Sequence, residues 1–145
     1  MNKIELRNAL LISLQKMNDM EVFASMIEFC QGEMRVLIYL HMNKGTDIYP
    51  SDLSDSLCVT RQRITSILSS LRKKGYVSMK MAENDRRRMR VVLTEDGESW
   101  LVKKVKEIEI YYDTLINGLG ENNIQEMTRL MNLSIEQMKQ FKIGK

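Results

Sequence analysis

Apolar residues near the start of the chain recur at the three- and four-residue spacing that is typical of helices. This pattern predicts one long helix from Asn2 to about Cys30, with any irregularity expected near positions 18–19. Gly32 interrupts the pattern. The strongly apolar stretch Met34–Met42 then predicts a second helix, which should end near positions 44–45.

The middle of the chain has the spacing of two short helices joined by a tight turn. An extended piece at Asp47–Tyr49 leads to Pro50, which loses little as the first residue of a helix. The first helix is expected near Ser51–Leu57. Thr60 is a suitable N-cap for the second helix, which should run to about Lys74 and be closed by Gly75. Two helices at this separation predict a helix-turn-helix.

After Gly75 the apolar period falls from helical spacing to two. Apolar and polar side chains alternate from Val77 to Met81 and again from Met89 to Leu93, so each run predicts a strand. The residues between them, 82–88, would form the long basic tip of a β-hairpin. A helix-turn-helix followed by such a hairpin is a winged helix.

The last third of the chain returns to helical spacing. Thr94 is a suitable N-cap, and Glu95 and Asp96 complement the positive end of the helix dipole. This helix should reach position 118 or 120, a length of roughly 35 Å, and a final amphipathic helix should span 122–141. Long apolar-faced helices at both chain ends need a partner. The predicted fold is therefore mainly α with a small β-hairpin wing: a winged helix-turn-helix plus long terminal dimerisation helices.

Composition narrows the class of protein. The 145 residues suffice for one domain with a proper core, and 43% hydrophobic with 28% charged residues is ordinary for a globular protein. No apolar run approaches the roughly 20 residues that span a bilayer, and the N-terminus lacks a signal-peptide core, so we expect a cytoplasmic protein without membrane contact.

The sequence contains no set of residues that predicts catalysis or metal binding. No nucleophile, base and orienting group stand together, and the single histidine, His41, fits a packed or half-exposed core position better than a metal site. We therefore predict no enzyme activity, no cofactor and no metal. Cys30 and Cys58 are too isolated for a disulfide framework and are best interpreted as inert thiols, although a redox-sensing Cys30 is an alternative.

Charge is distributed unevenly along the chain. The stretch from Thr60 to Arg90 contains ten Lys and Arg residues and two acidic residues, which give it a net charge of +8. Because the whole chain carries +3, the remaining residues have a net charge of −5. Such segregation is typical of a polyanion-binding surface on an acidic scaffold.

The predicted second helix of the helix-turn-helix has two distinct faces. At 100° per residue its apolar residues share one face, whereas Gln62, Ser66 and Ser69 lie opposite. Small serines let a helix lie deep in the major groove, and Gln62 can pair with adenine. A solvated face is the alternative. The predicted DNA contacts, including those of the hairpin tip, are Ser51, Thr60, Arg61, Gln62, Arg63, Thr65, Ser66, Ser69, Arg86, Arg87 and Arg88.

The segment from the hairpin into the next helix resembles the wing of the multiple-antibiotic-resistance regulator (MarR) family. The pattern D-x-R-x-x-x-V-x-L-T-x-x-G is filled here by Asp85, Arg87, Val91, Leu93, Thr94 and Gly97. The resemblance implies a homodimeric winged-helix transcription regulator made of one domain, 1–145, in which segments 1–30 and 95–145 dimerise and 33–94 forms the DNA-binding lobe. It also implies that Arg87 enters the minor groove and that Asp85 orients it.

Physical chemistry supports these roles for the wing. Three consecutive arginines repel one another unless they stay solvated or meet an anion, and a narrow minor groove attracts an inserted arginine. Arg86 and Arg88 would then hold phosphates, while Asp85 would fix the direction of Arg87. The alternative is that the arginines only keep a hairpin tip soluble.

We therefore expect a homodimer that binds a pseudo-palindromic operator in double-stranded DNA through successive major grooves, about 34–36 Å apart. The family resemblance further implies control by a small aromatic or phenolic ligand. The alternatives are a winged-helix interaction module for an acidic protein partner, or a cysteine-based redox-sensing regulator.

Overall fold

Seven helices and one antiparallel hairpin make up the part of the chain that the computed structural model describes, residues 1–142. In chain order they are α1 (Lys3–Asp19), α2 (Glu21–Glu28), α3 (Gly32–Met42), α4 (Pro50–Leu57), α5 (Arg61–Lys73), β1 (Val77–Met81), β2 (Met89–Leu93), α6 (Glu95–Leu119) and α7 (Glu121–Met138). The predicted fold class, mainly α with a β-hairpin wing, is confirmed. The last residues of the predicted dimerisation segment, 143–145, lie outside the described residues.

The chain divides into two compact units, with the boundary between Ile108 and Glu109, inside α6. The first unit contains the core of the winged helix, in which side chains of α3, α4, α5, the hairpin and the start of α6 pack together. Its largest fully buried side chains are Val36, Leu37, Leu53, Ile64, Leu71 and Leu101.

The prediction of one long N-terminal helix over residues 2–30 is wrong. The irregularity expected near positions 18–19 is a complete break, because Met20 is extended (φ −88°, ψ 120°) and separates α1 from α2. Asn18 and Asp19 favour helix ends because their side chains compete for backbone hydrogen bonds. At its other end α1 begins with a capping box, in which the Asn2 and Glu5 side chains each accept the other's backbone N–H at 2.9 Å.

The helix-turn-helix forms where the sequence predicts it. Thr60 Oγ1 accepts the Arg63 N–H at 3.2 Å and caps α5. Cys58 takes a left-handed conformation (φ 54°), which the sequence does not reveal and which a non-glycine residue adopts only at some cost. The Ser54 hydroxyl stabilises this turn by donating to the Val59 carbonyl at 2.7 Å.

Both strands of the wing have the predicted bounds, and Val77 pairs with Leu93 at the base of the hairpin. The chain then turns sharply into α6. Thr94 Oγ1 accepts the Gly97 N–H at 3.0 Å, which confirms the predicted cap, and donates to the Gly75 carbonyl at 2.6 Å. The Tyr76 ring stacks on Trp100 with 5.0 Å between centroids. The hairpin base is thus bonded directly to the first turn of α6.

The terminal helices leave most of their apolar residues uncovered. Neither α1 nor α7 buries a side chain among the described residues. The exposed apolar residues of α1 are Ile4, Leu6, Leu10, Leu11, Ile12, Leu14 and Met17. Those of α7 are Met127, Leu130, Met131, Leu133, Ile135 and Met138. Within residues 1–142, no helix is both long and apolar enough to cross a membrane.

Candidate nucleic-acid interface

Helix α5 buries one face and leaves the other in solvent. Ile64, Leu68 and Leu71 are buried, and this apolar face fixes the helix to the core. Gln62, Ser66 and Ser69 on the opposite face are exposed, and so are the other predicted contact residues of this region: Thr60, Arg61, Arg63 and Thr65. The predicted division into a packing face and a solvent face is therefore confirmed.

The exposed polar groups of α5 differ in how far they are already bonded. The Thr60 hydroxyl serves as the cap, and Thr65 Oγ1 donates to the Arg61 carbonyl at 2.9 Å. Within residues 1–142 the side chains of Gln62, Ser66 and Ser69 make no hydrogen bond, and Arg61 and Arg63 form no ion pair. These five groups are therefore free to bind an external donor or acceptor.

Ser51 lies in the first turn of α4, directly after Pro50, and is half-buried. The turn is closed by the Asp52 carboxylate, whose Oδ2 accepts the Tyr49 N–H at 2.8 Å. Ser51 is thus the least accessible of the predicted contact residues.

The wing tip is a tight turn organised by Asp85. Its Oδ1 accepts the Arg87 backbone N–H at 2.9 Å, and its carbonyl accepts the Arg88 N–H at 3.2 Å. An aspartate that bonds the backbone two residues later is a common turn-forming arrangement. Asp85 thus positions the main chain of Arg87, not its guanidinium.

Two of the four arginines around the wing are held by partners that sequence spacing did not reveal. The Arg88 guanidinium carbon lies 3.6 Å from the centroid of the Tyr49 ring, and Arg90 Nη1 lies 3.2 Å from Asp47 Oδ1. Among the described residues Arg86 and Arg87 have no ion partner, and both are exposed. Among its arginines the wing therefore offers two that are unpaired and one that is stacked.

His41 is half-exposed and lies in an ion-pair cluster instead of a metal site. Its Nδ1 is 2.8 Å from Glu98 Oε1, and the Lys44 ammonium contacts the other oxygen of the same carboxylate. Residues 1–142 contain no group of three or more His, Cys, Asp or Glu side chains that could hold a metal ion. The cluster joins the end of α3 to the first turn of α6.

This cluster predicts a pH-dependent contribution to stability. The hydrogen bond from Lys44, helped by the charge of His41, lowers the pKa of the Glu98 carboxyl in the folded state. Because the folded protein then binds this proton more weakly than the unfolded chain, the stabilisation is present above the unfolded pKa and disappears as pH falls through the folded pKa.

We therefore expect Glu98→Gln to lower the free energy of unfolding at neutral pH by about 1 kcal/mol or less. The difference from wild type should vanish in acid, below the lowered pKa. Urea unfolding of both proteins over a series of pH values measures this difference in stability. Glu109→Gln is the control, because Glu109 is an exposed residue of α6 that has no ion partner among residues 1–142. A difference that is constant with pH would contradict the assignment.

Both cysteines are free and exposed. Cys30 lines a cleft of about 170 Å³ together with Arg35 and Arg63, two cations that its sequence neighbours did not indicate. The redox-sensing hypothesis for Cys30 stays a prediction.

The fold and the exposed basic surface together define a winged helix-turn-helix protein whose helix α5 presents a polar face to solvent. A model of the MarR family matches residues 31–88, from the residue before α3 to the end of the wing tip. The HTH-type transcriptional regulator FarR of Neisseria gonorrhoeae is 31% identical over 107 residues, which are 74% of this chain and 70% of FarR. The chain belongs to the MarR family.

Another relative is also named as a transcription regulator, and a solved structure has the same fold. The transcriptional repressor MprA of Escherichia coli K12 is 29% identical over 107 residues, covering 72% of this chain but only 61% of MprA. The crystal structure of a complex of Staphylococcus aureus MepR with DNA has a TM-score of 0.55 and 18% identity, covers 93% of both chains, and shows the likeness of fold. The matched sequences are named as transcriptional regulators, in agreement with the prediction that the chain is not an enzyme.

Proposed function

We propose that this chain is a cytoplasmic transcription regulator that binds a pseudo-palindromic operator in double-stranded DNA as a homodimer. The observation that carries the proposal is the outer face of α5, where Gln62, Ser66 and Ser69 are exposed and unbonded within the described residues and arginines flank them. Small polar side chains flanked by unpaired arginines are suited to contact base edges and phosphates. The naming of relatives as transcriptional regulators and the DNA complex of MepR support the same function.

In this proposal the N-terminal half of α5 lies in the major groove. Gln62 would pair with an adenine edge, while Arg61 and Arg63 would contact guanine edges or phosphates. Ser66 and Ser69 are small enough to let the helix backbone approach the bases closely. Thr60, Thr65 and Ser51 would contribute hydrogen bonds at the edge of the groove.

The wing would bind the adjacent minor groove. Arg87 is exposed and unpaired within residues 1–142, and Asp85 fixes its main chain at the tip of the turn. A narrow minor groove has a strong negative potential that favours such an arginine. Arg86 and Arg88 would anchor the flanking phosphates.

The dimer would form through the terminal helices. The apolar residues of α1 and α7 are exposed in the single chain, which is the condition expected of surfaces that a second copy covers. We propose one MarR-type domain, 1–145, in which segments 1–30 and 95–145 dimerise and 33–94 forms the DNA-binding lobe. Two lobes would then reach half-sites about 34–36 Å apart.

A small aromatic or phenolic ligand would regulate the protein by changing the distance between the two DNA-binding lobes of the proposed dimer. A ligand that binds better to a dimer with the wrong lobe separation would shift the population away from the DNA-competent state.

Duplex binding by matched variants tests the proposal, with an operator taken from genome-wide mapping of bound sites and fluorescence anisotropy as the readout. Wild-type affinity should fall steeply with salt because bound arginines release counterions. Arg87→Ala should reduce the slope of log K against log salt by about one, and Gln62→Ala should weaken binding roughly fivefold to a hundredfold.

Lys103→Ala is the control, because Lys103 is an exposed cation of α6 outside the proposed DNA-binding surface, provided that the variant keeps the mass of the wild-type dimer. Its affinity and salt slope should match wild type. Unchanged duplex binding by both Arg87→Ala and Gln62→Ala, with an intact dimer, would favour the protein-interaction alternative.

A further inference from the structure

The extended segment Asp47–Tyr49 runs beside the end of the wing tip and the start of β2, and contacts them at three points. Asp47 Oδ1 pairs with Arg90 Nη1 at 3.2 Å, and the Ile48 carbonyl accepts the Val91 N–H at 2.7 Å. Tyr49 completes the series with its ring under the Arg88 guanidinium. The next residue, Pro50, begins α4, so this segment joins the wing directly to the helix-turn-helix.

The Tyr49 ring projects from a rigid position. Tyr49 is the N-cap of α4, its backbone is extended, and its N–H donates to the Asp52 carboxylate at 2.8 Å. Pro50 restricts it further, because the residue before a proline is confined to extended conformations. The side chain is half-buried against its surroundings.

The main chain of Arg88 is fixed as well. Its N–H donates to the Asp85 carbonyl at 3.2 Å, and its carbonyl accepts the Ala82 N–H at 2.9 Å. Because both backbones are already ordered, stacking the guanidinium on the ring costs little additional conformational entropy. Arg86 and Arg87 have no aromatic partner among the described residues, so Arg88 is the oriented cation of the tip.

A stacked guanidinium presents its flat face to the ring and keeps the N–H donors at its edge available. Those donors can bind phosphate oxygens with a fixed geometry.

We propose that Tyr49 is a positioning residue for DNA binding, whose ring holds Arg88 against the start of α4 so that its charge meets the duplex at a set distance from the recognition helix. This inference rests on the proposed DNA-binding function. Tyr49 itself need not touch DNA.

A double-mutant cycle on the whole 145-residue chain tests the proposal, with operator affinity measured by anisotropy. Arg88→Gln should weaken binding about tenfold in the wild-type background. Tyr49→Leu should weaken operator binding about fivefold. Adding Arg88→Gln to the Tyr49→Leu protein should weaken binding further by less than about twofold. Tyr49→Phe, which keeps the ring, should bind like wild type.

Arg86→Gln provides the matched control, because Arg86 is an unstacked cation two residues away. The factor by which Arg86→Gln weakens operator binding should be the same in the wild-type and Tyr49→Leu backgrounds. A further readout needs no DNA: the ring-current shift of the Arg88 side-chain protons in the NMR spectrum should disappear in Tyr49→Leu and persist in Tyr49→Phe.

Equal costs of Arg88→Gln in both backgrounds, or a Tyr49→Phe variant that behaves like Tyr49→Leu, would overturn the positioning role. Absence of duplex binding by the wild-type protein would instead count against the proposed function. The two failures are therefore distinguishable in one set of measurements.

Discussion

Replacing Gly97 with alanine is expected to unfold the winged-helix unit or to lower its free energy of unfolding by about 3 kcal/mol or more. A Cβ atom at this position would lie 2.1 Å from the Tyr76 carbonyl oxygen and 2.9 Å from both the Tyr76 carbonyl carbon and Leu93 Cδ1. Two of these three atoms belong to the backbone. Rotation of a flexible side chain therefore cannot relieve the clash.

The backbone around Gly97 cannot move without losing hydrogen bonds. The same Tyr76 carbonyl accepts the Thr94 N–H at 3.1 Å, and the Thr94 hydroxyl holds both the Gly97 N–H and the Gly75 carbonyl. A shift that makes room for a methyl group would break this junction between the hairpin base and α6. Glycine is required here by the close approach of the backbones.

Gly118→Ala is the matched control, because it adds the same methyl group to the same helix where, among residues 1–142, nothing outside the adjoining helix backbone lies within 4 Å of it. It should leave stability unchanged or raise it by up to about 1 kcal/mol, the helix propensity difference between the two residues. Urea unfolding followed by circular dichroism compares both variants with wild type. Gly97→Ala within about 1 kcal/mol of wild type would contradict the steric explanation.

The second large effect is expected from charges on the apolar face of α1. Leu10→Glu combined with Leu14→Glu should convert the proposed dimer to monomers. Operator affinity should then fall by about a hundredfold to ten-thousandfold, because the two DNA-binding lobes are no longer linked and must bind their half-sites independently. Both leucines are more than half exposed in the single chain, at 64% and 54%, so their replacement removes little packing within it. Burying two carboxylates against a second copy would be costly.

Sedimentation equilibrium gives the mass of each species, and anisotropy gives its affinity for the duplex. The control is Asn8→Glu with Lys16→Glu, which adds two carboxylates to the side of α1 centred opposite Leu10 and Leu14, at 100° per residue. The control protein should keep the dimer mass. If the Leu10→Glu/Leu14→Glu protein keeps the dimer mass, α1 is not part of the dimer interface. If the wild-type protein is itself a monomer, the proposed dimer is wrong.

The elements of the winged helix could be predicted because their signals are local. Alternation from Val77 to Met81, between Gly75 and a charged loop, defines a strand with few alternatives, and Thr60 before an amphipathic stretch defines a helix start. The exposed face of α5 followed from the same periodicity. The break at Met20 was not predicted as a full break, because the apolar spacing continues across it and the helix end depends on how each segment packs.

Local patterns predict the elements of the winged helix, the polar face of α5 and the arginine-rich wing, since helical and strand periods and capping residues act over a few neighbouring positions. The contacts between distant groups depend instead on how the elements pack. Arg90 and Asp47 are 43 positions apart, and the stacking of Arg88 on Tyr49 and the pairing of Glu98 with His41 depend on the same folding of the wing and α6 onto α3 and α4. No local pattern encodes such pairs, because packing of the core sets their separations.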